Sequence, residues 1–68
     1  MVEKQTVLEL RQAALYSQAE VAKALGVSVV AVANWEHGRT RMTLTNKRLV
    51  CALFEVKAGG VRWPKEDE

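Results

Sequence analysis

The sequence holds a single cysteine, Cys51, and a single histidine, His37. One thiol cannot close a disulfide, and one Cys with one His falls short of the four ligands of a structural zinc site. There is no glycine-rich phosphate loop, and no carboxylates cluster outside the last three residues. Cys51 stands far from His37 in the chain, so no nucleophile–base spacing points to an enzyme. Long apolar runs are lacking too. Runs such as Val29-Val30-Ala31-Val32-Ala33, and the slightly longer one over 49–54, are far short of the roughly 20 residues of a membrane-spanning helix. Met1-Val2-Glu3-Lys4-Gln5 places an acid and polar residues before any apolar stretch, unlike a signal peptide. These absences lead to the expectation of a reduced, cytoplasmic setting with no metal, no cofactor, no small-molecule ligand and no membrane. Cys51, among Leu49, Val50, Leu53 and Phe54, reads as a small buried hydrophobe.

What is present is small and basic. A chain of 68 residues is one domain near the lower limit for unaided folding, burying only about 60% of its unfolded surface. The formal charge of +2 hides an asymmetry. Glu66, Asp67 and Glu68 end the chain; without them ten bases face five acids. Between His37 and Phe54 lie Arg39, Arg41, Lys47 and Arg48 and no acid at all. A cluster of one sign suits a polyanionic partner.

Hydrophobic spacing is helical almost throughout, which predicts an all-α chain of four or five helices. Val7, Leu8, Leu10, Ala14 and Leu15 mark the apolar stripe of a first helix over about 6–15. Ser17-Gln18-Ala19-Glu20 is a capping box that opens a second, with Val21, Ala22 and Leu25 on its buried face and Gly26 stopping it. The third segment starts at the N-cap Ser28 and ends at Gly38. Its β-branched content makes a strand a competitor. Periodicity and caps favour the helix, with Val32 and Trp35 on one side and Val29, Val30, Ala33 and Asn34 turned elsewhere. After the loop Arg39-Thr40-Arg41-Met42, a fourth region runs from near Thr43 to about Val56, with Leu44, Leu49, Val50, Cys51, Leu53 and Phe54 in a wide stripe. Whether it is one helix or two is not readable from spacing. Residues 1–57 are expected to form the domain, and 58–68 a tail that either mediates dimerisation or lies disordered. Trp63 in that tail could pack back on the domain, dock on a second subunit or stay free.

Two short helices joined through Gly26 have the composition of a helix-turn-helix. Small or apolar residues fill every position where such helices pack: Val21, Ala22, Leu25, Val27, Val32 and Trp35, with Gly26 in the turn. On Ser17-Gln-Ala-Glu-Val-Ala-Lys-Ala-Leu-Gly-Val-Ser28 and Asn34-Trp-Glu-His-Gly-Arg39, the chain resembles the lambda and 434 repressor and Cro proteins, over about residues 6–56. The resemblance implies a compact five-helix domain whose third helix lies in the major groove of double-stranded DNA, often as a homodimer on a two-fold operator.

Residue by residue, the resemblance implies that Gln18 anchors a phosphate at the N-terminus of helix 2, aided by its dipole. Ser28, Val29, Val30 and Asn34 match positions facing base edges, with Ala33 beside them. Arg39, Thr40 and Arg41 match the backbone-touching loop, which His37 adjoins. Arg11 and Glu36 match a salt bridge between helices 1 and 3, near the phosphates. Trp35 is read as a packed aromatic rather than a base-stacking one. The reading face departs from the family habit of Gln, Arg, Ser or Lys. Valine methyls can pack on the thymine C5-methyl, and Asn34 can pair with adenine N6/N7. Leu15 stands where many relatives have glycine, and Lys47 where many have a core leucine, which puts the helix 1 turn and the helix 4 register in question.

The leading expectation is a sequence-specific transcription regulator of the Cro or repressor kind, from a phage, plasmid or bacterium. The alternative is a protein-interaction module, such as an anti-repressor or co-regulator, that meets its partner through the exposed Val29/Val30 face.

Overall fold

The computed structural model describes residues 3–66; Met1, Val2 and the end of the expected tail, Asp67 and Glu68, lie outside them. The order is β1 (Gln5–Thr6), α1 (Val7–Ala13), α2 (Gln18–Leu25), α3 (Val29–Glu36), α4 (Leu44–Phe54), a 3-10 turn (Ala58–Gly60) and β2 (Val61–Arg62). The four α-helices carry the fold. A two-residue parallel ladder, Gln5 with Val61 and Thr6 with Arg62, ties the ends together. No helix among the described residues is long and apolar enough to cross a membrane.

Each helix starts on a hydroxyl. Thr6, Ser17, Ser28 and Thr43 sit in extended backbone, and each side chain accepts from the amide three residues on. That satisfies one of the amides a helix leaves unpaired at its start. At Ser17 the box is reciprocal, with Glu20 accepting the Ser17 N–H at 2.8 Å. Thr6 and Glu9 make the same box at α1.

The helix ends share a second device. The amide of Tyr16 bonds the carbonyl of Arg11, that of Val27 bonds Ala22, and that of Arg39 bonds Asn34. Such five-residue returns need a left-handed residue just before the returning amide. Leu15 (φ 62°), Gly26 (φ 72°) and Gly38 (φ 69°) fill that place. Glu55 (φ 55°) does so after α4, where Val56 returns to Cys51.

The core gathers Val7 and Leu10 of α1, Val21, Ala22 and Leu25 of α2, Val32 and Trp35 of α3, Val50 of α4, and Met42, Val61 and Trp63. Ala22 is buried where α2 packs on α3, and a larger side chain there would force them apart.

Several expectations need correction. Helix 1 ends at Ala13, not near Leu15, and Ala14 and Leu15 are exposed rather than part of its stripe. The left-handed turn swings Leu15 outward. Residues 44–54 form one helix, whose buried stripe is narrower than expected: Leu44 and Leu49 face outward, while Cys51, Leu53 and Phe54 are half-buried. Among the described residues there are four α-helices rather than the five implied by the resemblance, and Gly59, Gly60 and Pro64 interrupt the segment where a fifth would run. That segment packs instead. Val61 and Trp63 are buried, and the Trp63 indole donates to the Ala58 carbonyl at 3.2 Å. Of the three placements open to Trp63, it takes the first.

Lys47 is explained by the same residue. Its ammonium lies 5.7 Å from the centre of the Trp63 ring and pairs with Glu66 at 2.9 Å. A buried indole and a carboxylate thus hold the lysine head at a position where the resemblance puts a core leucine.

Candidate nucleic-acid interface

The outward face of α3 is built by what pins its inward face. Val32 is fully buried and Trp35 nearly so, three residues apart on one side of the helix. The turn at Gly26 and the half-buried Val27 then fix how α3 leaves α2. With that side held, Val29 and Val30 are 44% and 68% exposed. Ser28 is exposed at the N-cap, with its oxygen accepting the Ala31 amide at 3.1 Å and its hydroxyl proton still available. Ala33 and Asn34 are half-buried on the same flank as Val30. No charged side chain lies between Val29 and Trp35.

A positively charged rim borders this face. His37, Arg39, Thr40 and Arg41 are all exposed in the loop from α3 to α4. Arg39 lies beside Asn34, with a long contact of 3.5 Å from Nη1 to Oδ1. The loop's far end is anchored by Met42, buried in the core although it reads in sequence as part of a basic loop. Its only cue is being the one apolar residue in a polar stretch.

On the other side of α3, three helices meet at Glu36. Arg11 donates from Nε to Oε2 and from Nη2 to Oε1, the latter at 3.1 Å, while its Nη1 reaches the Tyr16 carbonyl at 3.0 Å. Gln18 donates from Nε2 to Glu36 Oε1 at 2.8 Å. Gln18 is thus held at the first turn of α2 with one amide proton engaged and the other available. Burial pushes the Glu36 carboxyl up, but hydrogen bonds from Arg11 and Gln18 and the positive charge of Arg11 and His37 outweigh it, so its pKa is lowered. The Arg11 pKa is raised by the same pairing. At the start of α2 the capping box already occupies the amides of Ser17 and Glu20, leaving those of Gln18 and Ala19 facing out.

The arrangement gathers Gln18 and Arg11, the α3 face and the 37–41 loop around one helix. Among the described residues no group of three or more His, Cys, Asp or Glu is placed to hold a metal ion. What the face offers chemically is methyl groups, one hydroxyl and one carboxamide, flanked by guanidinium.

A family model described as helix-turn-helix matches residues 7–60, most of the chain. No curated protein and no solved structure matches it. The match spans the capped α2, the Gly26 turn, α3 and α4, the elements that hold the face just described. The chain belongs to the helix-turn-helix family of lambda repressor- and Cro-like DNA-binding regulators.

Proposed function

We propose that this chain is a sequence-specific transcription regulator of the Cro or repressor kind, acting on double-stranded DNA in the cytoplasm of a bacterial or phage-infected cell. In this reading α3 enters the major groove. Ser28, Val29, Val30, Ala33 and Asn34 meet base edges there, while Gln18, Arg11, His37, Arg39, Thr40 and Arg41 meet phosphates. The observation that carries it is the exposed Val29/Val30 pair on a helix whose opposite side is locked by Val32 and Trp35 and which runs on into a loop with Arg39, in contact with Asn34, and Arg41, both exposed. Apolar side chains left in water on a helix that leads into a basic loop suit a groove edged by phosphate. A basic rim supplies affinity that is independent of sequence, so the face itself must supply selectivity.

So small a face reads few base pairs, and a homodimer on a two-fold operator doubles them. Selection of bound duplexes from a random pool tests both points. The expected result is a symmetric motif with half-sites about one helical turn apart. Selection of no motif at all would overturn the reading.

The uncharged stretch Val29–Trp35 also favours a second reading, in which the same face docks on a protein. Val30→Asp separates the two. With the fold intact by circular dichroism, loss of DNA binding supports the regulator. Unchanged, salt-sensitive DNA binding supports a protein partner at this face.

A further inference from the structure

We infer that the Val29/Val30 face recognises C5-methyl groups on pyrimidines rather than base identity as such, so that this protein treats thymine and 5-methylcytosine alike. The inference rests on the proposal that α3 enters the major groove, and names what the groove must carry there.

The first turn of a recognition helix contributes most to base reading. In this chain that turn is Ser28, Val29 and Val30, followed one turn on by Ala33 and Asn34. Valine and alanine neither donate nor accept hydrogen bonds, so they are blind to the O4 of thymine and the N4 of cytosine. They respond to apolar surface, and in the major groove the C5-methyl is what a base pair supplies of that kind. A methyl on cytosine projects from the same ring carbon as the thymine methyl. The hydrogen-bonding groups nearby are partly engaged. The Ser28 oxygen holds the Ala31 amide, and Asn34 Oδ1 lies in long contact with Arg39. They are too few to overrule the methyl preference at the positions the valines cover.

Val29 and Val30 keep 44% and 68% of their surface in water when the protein is alone. Covering them with a methyl group gives an apolar contact of about one methylene's worth, a factor of roughly fourfold in affinity per methyl. Covering them with the bare C5–H edge of cytosine or uracil forgoes that factor.

The test starts from a duplex selected by the protein. Each thymine is replaced in turn by uracil, which removes the methyl and leaves pairing unchanged. At each sensitive position a C·G pair is then compared with 5-methyl-C·G. The expected result is one or two positions per half-site where uracil costs about fourfold and where methylating the cytosine restores about as much. Val30→Thr, which swaps one methyl for a hydroxyl at an exposed site, should shrink both differences while thermal melting stays near the parent value. If the selected duplex binds but uracil equals thymine at every position, or 5-methylcytosine binds no better than cytosine, the methyl inference is overturned and the regulator reading stands. If no duplex is selected, both fall.

Discussion

Glu36 accepts from Arg11 on both carboxylate oxygens and from Gln18 on Oε1, with its side chain only 3% exposed, so one carboxylate joins α1, α2 and α3. Removing its charge by Glu36→Gln leaves the Arg11 guanidinium without its counter-charge in a part-buried site. The expected loss is about 1–3 kcal/mol of folding stability at neutral pH. Urea unfolding of the two proteins measures it directly, and a loss near zero would mean that solvent already screens the pair.

The same carboxylate sets an acid limit. Its folded-state pKa is lowered, so the stability it contributes is present above the ordinary glutamate value of about 4.3 and drains as pH falls below it. Glu9 is lowered as well, by the backbone N–H and then the hydroxyl of Thr6, and acts in the same sense. Melting temperature should therefore be flat from pH 7 to about 5 and fall more steeply below. In Glu36→Gln the fall should be shallower but not absent, since Glu9 remains. Equal slopes in the two proteins would contradict this account.

Leu15 adopts φ 62° with 89% of its surface exposed, doing in leucine what Gly26 and Gly38 do in glycine. A non-glycine residue in that conformation costs about 1–2 kcal/mol, and an exposed leucine recovers little by packing. Leu15→Gly relieves the strain but loosens the unfolded chain by about 0.4–1 kcal/mol. A net gain of about 0.5–1 kcal/mol is expected. Gly26→Ala should run the other way, a net cost of about 0.5–1 kcal/mol from the same strain less the same unfolded-state term, because an added Cβ meets no atom within 4 Å. Thermal unfolding of the pair checks both signs together.

Local chemistry explains which parts of this fold are legible in the chain. The Ser17–Glu20 box, the Ser28 cap and the two glycine stops are each written within a few residues, and so α2 and α3 are readable. Leu15 is not readable locally, since nothing about a leucine announces a left-handed turn and it joins the apparent stripe of α1; only the glycine that many relatives place there put that turn in question. Leu44 and Leu49 mislead in the same way: α4 buries one narrow side against the core, and spacing cannot say how wide that side is. Trp63 and Lys47 are opaque for a different reason. Each is anomalous alone and makes sense only once the chain end returns across α4, a contact over 16 residues that no local pattern encodes. The Arg11–Glu36 bridge, 25 residues apart, is accessible only through family resemblance.

Trp63 closes the core from the C-terminal side, so its loss should be felt far from the interface. Trp63→Ala removes a buried indole and its bond to the Ala58 carbonyl, with an expected cost of about 3 kcal/mol or more. Lys47→Ala removes a cation over the ring and an ion pair to the exposed Glu66, a loss of about 1 kcal/mol at most. Chemical denaturation should rank them in that order. If Lys47→Ala matched Trp63→Ala, the lysine stem rather than the indole would be filling the core.

Arg39 and Arg41 should reveal how affinity is divided on the DNA side. Both are exposed in the loop that follows α3, and neither has an ion pair to a carboxylate among the described residues. Each arginine that neutralises one phosphate adds about 0.9 to the slope of log affinity against log salt. Arg41→Ala should therefore weaken binding to all duplexes by a similar factor and lower that slope by about 1. Arg39→Ala should do the same and also change selectivity, because it contacts Asn34, the side chain proposed above to meet a base edge. Affinities measured at several salt concentrations, on a selected duplex and a scrambled one, separate the two effects. A slope unchanged by both substitutions would place the phosphates elsewhere on the protein. Selectivity lost in Arg41→Ala but kept in Arg39→Ala would reverse the roles of the two arginines.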